Sequence, residues 1–152
     1  MRYLIGIGTY TALDDSIGLR VAEAVREEGL ERGFRAVELG GNLLDLTHYL
    51  SADTESVLIV DSARMGLAPG DLAFFGPEEV QTRKSVAGFS THEDDLMKVI
   101  DLVRSLGADL PPITLMGIEP EAVSAGVGLS ATLGSRFREY VDAAVGFFAP
   151  VV

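Results

Sequence analysis

The sequence predicts an α/β fold, an open and mostly parallel sheet with helices on both faces, in one domain over residues 1–152. Three observations predict it. Strand-length apolar runs alternate with amphipathic helical stretches along the whole chain. The run 56–61, Ser-Val-Leu-Ile-Val-Asp, is continuous and rich in β-branched residues, as in a strand buried on both faces. At 152 residues the chain holds one core comfortably and two only with difficulty.

The elements follow in order. Residues 3–8 form a short apolar run ending in glycine, the first strand. Over 15–28, Ile17, Val21, Ala24 and Val25 share one helical face, while Arg20, Glu23, Arg26 and Glu27 lie largely off it; Gly29 or Gly33 can end that helix. Residues 34–39 are the second strand, and a short helix carries Leu43, Leu46 and Leu50. The third strand is 56–61. Residues 70–75 make a fourth, close enough behind it to run antiparallel or at an edge. Residues 76–90 have no clear period. A helix then begins near His92, with Leu96, Val99, Ile100, Val103 and Leu106 as its stripe and Gly107 at its end. Ser90 with Glu93, or Thr91 with Asp94, can form its capping box. Residues 113–118 are the last strand. After the loop from Glu119, Ser130 can cap a final helix carrying Leu133, Phe137, Val141 and Ala144.

Composition excludes several functions. The formal charge of −11 repels phosphate backbones, so nucleic acid is not an expected partner. No apolar run is long enough for a membrane span, and the start reads as a strand instead of a secretory leader. With no cysteine there is no disulfide, thiolate metal site or cysteine nucleophile. A cytoplasmic monomer is expected.

Ligands of such sheets bind beyond the carboxyl ends of the strands, near a topological switch point. The strand ends at Gly8, Asp61 and Gly117 are therefore the places to look. Gly6-x-Gly8 hints at dinucleotide binding, but the third glycine position is Thr11, which discounts it. Each remaining candidate has a plainer reading. Asp14 and Asp15 suit a helix N-cap, and taken singly that reading outweighs a site for either. Asp61 suits an Asx-turn. His92, beside Glu93, Asp94 and Asp95, suits a surface histidine, as does His48. Together they point further. Asp15 follows the first strand, Asp61 ends the third and His92 opens a helix. If the first and third strands are neighbours, their ends meet in one crevice. Two carboxylates and an imidazole then offer a divalent transition ion three ligands, with positions left for water or substrate. Spacing by itself leaves that convergence open. A serine hydrolase is less well supported: there is no G-x-S-x-G, and Ser62, Ser90 and Ser130 have no base at diagnostic spacing.

Five segments, in order, resemble the endopeptidases that mature the large subunit of nickel-iron hydrogenases. They are IGIGTYTALDDSIGLRVAEAV, VELGGNLLDL, LIVDSARMGLAPGDL, STHEDDL, and LMGIEPE with GVGLS. The resemblance spans Arg2 to about Val145. It implies a three-layer α/β/α fold with a five-stranded sheet, one strand antiparallel. It implies removal of a C-terminal extension from the nickel-loaded large-subunit precursor, which would be the partner. It implies metal ligation by Asp15, Asp61 and His92, the nickel coming from the substrate, with another divalent ion able to stand in. Two departures stand out: Thr9 where the family often has Asn, and Asp15 where it often has Glu, shorter by one methylene. The lack of a clear nucleophile favours attack by water. Two rival readings stand beside it, the first using the same three residues. One is a noncatalytic nickel-checkpoint chaperone of the large subunit. The other is a metal-independent enzyme holding an anion at Gly8 and the first helix N-terminus, which the acids there oppose.

Overall fold

A computed structural model of the chain describes residues 1–40, 42–79 and 92–150, the side chains of 92–94 excepted. The elements are β1 (Arg2–Ile7), a 3₁₀ turn (Leu13–Ser16), α1 (Ile17–Glu27), β2 (Arg35–Leu39), a 3₁₀ segment (Leu43–Tyr49), β3 (Ser56–Ser62), β4 (Leu72–Phe75), α2 (His92–Ser105), β5 (Ile113–Ile118), α3 (Ala131–Ser135) and α4 (Phe137–Phe147). The five strands form one sheet in the order β2-β1-β3-β5-β4. Neighbouring pairs are parallel except β4, which runs antiparallel to β5. The expected α/β class and the single antiparallel strand are both observed.

Alternation along the strands builds two cores. Leu58 and Val60 of β3 point to one face, where they meet Ile17, Val21, Tyr140 and Val141 of α1 and α4. Val57 and Ile59 point to the other, with Leu46 and Leu50 around the 3₁₀ segment and Leu96 and Ile100 of α2. The sheet is thus the middle layer of three.

Local departures from the expected elements have physical causes. The helix expected from residue 15 starts as a 3₁₀ turn, behind Leu13 in a left-handed conformation (φ +48°). The segment 43–49 is 3₁₀, with Asn42 Oδ1 accepting from Leu44 N at its start. The final helix is two, broken at Arg136 just after Gly134 and Ser135, both weak helix formers. Ser130 caps α3 as expected, its Oγ accepting from Leu133 N. α1 ends at Gly29 (φ +69°), where Leu30 N donates back to Val25 O. The capping boxes proposed at Ser90 and Thr91, and the segment 80–91, lie outside the described residues. Among the described residues no helix is long and apolar enough to cross a membrane.

α1 lies very close to the sheet, and Gly18 permits it. A Cβ on Gly18 would sit 2.1 Å from Val60 O and 2.5 Å from Ile7 O, both backbone atoms of central strands. Gly18→Ala should therefore cost about 3 kcal/mol despite alanine's better helix propensity, because neither strand can yield. Urea denaturation reads that loss. A stability equal to the wild type would mean that the helix can lift off.

Candidate active site

β1 connects to β2 on one side and has β3 on the other, so the sheet's order reverses between β1 and β3. Gly6 pairs with Val60 in register, which brings the segment leaving β1 alongside Asp61. Gly8 (φ +149°) turns that segment back: Thr9 N donates to Asp15 O at 3.2 Å, and a Cβ on Gly8 would lie 2.1 Å from the same oxygen. The glycines that suggested a nucleotide loop serve close packing instead.

Asp15 and Asp61 come together at this point, both buried. Ser62 joins them. Its backbone N donates to Asp61 Oδ1 at 2.8 Å, and its buried hydroxyl donates to Asp15 Oδ1 at 2.8 Å. The N-cap positions of the 3₁₀ turn and of α1 are Ala12 and Ser16, so neither Asp14 nor Asp15 is the N-cap residue that the plainer reading made of them. His92 opens α2, but its side chain lies outside the described residues. Among the described residues no group of three or more His, Cys, Asp or Glu is arranged to hold a metal ion.

Two further carboxylates are buried at this end of the sheet, Asp14 and Glu119. Each is committed to loop amides. Asp14 accepts from Glu121 N, Ala122 N, Ser130 N and Ser130 Oγ at 2.7–2.9 Å. Glu119 Oε1 accepts from Met65 N at 2.7 Å and Leu67 N at 3.1 Å. Burying four carboxylates in one region is costly, and hydrogen bonds offset that cost. Asp14 and Glu119 hold the surrounding loops, and Asp15 and Asp61 are both bonded to Ser62.

Beside this centre, the Tyr10 hydroxyl lies 2.6 Å from Glu23 Oε2 and 2.9 Å from Glu38 Oε2, and Arg26 pairs with Glu38. Burial, then the two glutamates, hold the Tyr10 hydroxyl well above the ordinary tyrosine range, so it stays protonated. Arg20 covers the Tyr10 ring and donates from Nε to Ser16 Oγ at 2.8 Å. This network fixes the 9–16 segment to α1 and β2.

Sequence reasoning chose Asp15 and Asp61 and missed the roles of Ser62, Asp14 and Glu119. Glu119 carried the same mark as Asp61, an acid at the end of an apolar strand. Nothing in the Asp14-Asp15 pair tells which of the two faces the site.

The fold and this centre define a class: a three-layer α/β protein with an acidic site at its topological switch point. Comparison with known proteins gives the family. The sequence profile of the hydrogenase maturation proteases matches residues 19–146, a span that includes Asp61 and His92 and starts after Asp15. The hydrogenase 2 maturation protease of Escherichia coli (strain K12) is 30% identical over 154 aligned positions, covering 93% of this chain and 87% of that protein. The NiFe hydrogenase maturation protease HybD from Thermococcus kodakarensis superposes with a TM-score of 0.80 at 21% identity, covering 97% of this chain and 99% of that one. The hydrogenase maturating endopeptidase HybD from E. coli superposes with a TM-score of 0.76 at 22% identity, covering 96% and 90%. The chain belongs to the hydrogenase maturation protease family.

Proposed function

We propose that this protein removes the C-terminal extension of a nickel-loaded hydrogenase large-subunit precursor, and that Asp15, Asp61 and His92 recognise the substrate's nickel. The observation that carries the reading is the Asp15–Ser62–Asp61 junction at the switch point, in a chain of this family. Two hard carboxylate donors and an imidazole complement a nickel ion whose softer thiolate ligands belong to the substrate. Binding through that ion would deliver the adjoining peptide bond to the crevice, a proximity effect. Ser62 is an unsuitable nucleophile, because it is fully buried, out of reach of a peptide bond entering the crevice. Attack by water fits better, with the bond held beside the acidic centre. The protein would act as a cytoplasmic monomer.

Intact-mass spectrometry tests this directly. The precursor, nickel-loaded or nickel-free, is incubated with the protein. The expected result is loss of a C-terminal peptide from the nickel-loaded form alone. Equal cleavage of both forms would overturn nickel recognition. Stable binding of the loaded form without cleavage would point to a checkpoint chaperone.

A further inference from the structure

The link from β3 to β4 has an unusual task. In the order β3-β5-β4 it must step over the carboxyl end of β5. That end delivers Glu119 into the mouth of the loop 63–71. One residue then holds the loop through four hydrogen bonds. Glu119 N donates to Asp71 O and Glu119 O accepts from Gly70 N, both at 2.8 Å. Glu119 Oε1 takes the amides of Met65 and Leu67. Ala63 N donates to Ile118 O at 3.0 Å, closing the near side. Tyr140 Oη donates to Gly70 O at 2.6 Å, and Arg136 reaches Asp71 at 2.8 Å, closing the far side.

What the pin holds begins one residue after Ser62, which bridges the two site aspartates. The held loop is not core. Arg64, Leu67 and Pro69 are exposed, while Met65 is turned inward against Gly117. A buried carboxylate spent on two loop amides is a costly way to hold a merely connecting turn. It suits a loop whose shape must exist before the substrate arrives.

The geometry points to Glu119 as a positioning residue, which preforms the loop 63–70 as one wall of the precursor-binding site. Its action is through Met65 and Leu67, not on the reacting atoms. The wall is built for binding, so losing the pin should weaken precursor capture and leave the cleavage step largely intact. This rests on the reading of the chain as the precursor's protease.

The test pairs Glu119→Ala with Glu119→Gln, because glutamine keeps an oxygen able to accept both amides whereas alanine orphans them. In Glu119→Ala, KM for the nickel-loaded precursor should rise about 10-fold, with kcat changed by less than about 3-fold. Glu119→Gln should restore KM to near the wild-type value. Hydrogen exchange supplies a readout independent of any substrate. In the wild type, the Met65 and Leu67 amides should exchange at least about 100-fold more slowly than in an unstructured peptide. Absence of that protection would overturn the pin even if Glu119→Ala does not fold. A fall in kcat with KM unchanged, or glutamine as impaired as alanine, would overturn the positioning role. A wild type that protects both amides but does not cut the precursor would refute the protease reading, and the wall's role with it, while leaving the pin itself intact.

Discussion

Asp61→Asn should slow release of the C-terminal extension on the order of 1,000-fold, with the melting temperature largely unchanged. The reason lies in what asparagine keeps. Its Oδ1 still accepts from Ser62 N, so the end of β3 loses no bond that the carboxylate makes to Ser62. What goes is the negative charge, which the proposed recognition of nickel needs. Asp15 and Asp61 are both buried, and each carboxylate is bonded to Ser62, Asp61 through the backbone amide and Asp15 through the hydroxyl. Asp15→Asn should behave in the same way, since its Oδ1 can still accept from Ser62 Oγ. The double variant should be little worse than either single one, because in the proposed reading both carboxylates serve one ion and act as a unit. Processing is followed by intact mass and stability by thermal circular dichroism. Wild-type processing by Asp61→Asn would remove the acidic centre from the reaction. Loss of activity together with a large fall in melting temperature would make Asp61 a structural residue instead.

Much of this architecture is legible in the sequence. The β-branched run ending at Asp61 announces a central strand, and alternation with helices makes the sheet parallel. Those two facts put the acid at a carboxyl edge where ligands bind. Other features depend on tertiary neighbours that a local pattern does not encode. The turn at Leu13–Ser16 looks like the start of a helix; it is displaced because Leu13 pairs with Gly126, more than a hundred residues away. At the break between α3 and α4, Arg136 bonds Asp71, contributed by a distant loop. Glu119 reads as the first residue of a loop, and its role exists only because β4 lies beyond β5 in the sheet. The hydrophobic period fixes which face is buried. Which acid holds a loop and which faces a site depends on where distant amides point.

Asp14 makes that distinction measurable, because it should fail in the opposite way to its neighbour. Asp14 is fully buried, and its carboxylate gathers three backbone amides and one hydroxyl from the segment 121–130. Its own N donates to Ala122 O at 3.0 Å. Leu13 alongside is held in a left-handed conformation that costs a residue of its kind roughly 1–2 kcal/mol, and these loop contacts offset the strain. Asp14→Ala leaves the amides of Glu121, Ala122 and Ser130 without that acceptor. Water can reach some of them, since Glu121 is exposed and Ser130 partly so. A loss of about 3–4 kcal/mol is expected in urea unfolding, below the sum of the separate bonds for that reason. Asp14→Asn should cost about half as much: its oxygen can keep the Glu121 and Ala122 amides, but its NH₂ then faces Ser130 N. At low temperature, where most molecules remain folded, either variant should retain far more processing activity than Asp15→Asn. The adjacent aspartates would then separate cleanly, one trading stability and the other activity. An Asp14→Ala protein as stable as the wild type would show that the 121–130 loop is held by its other contacts, with the carboxylate dispensable.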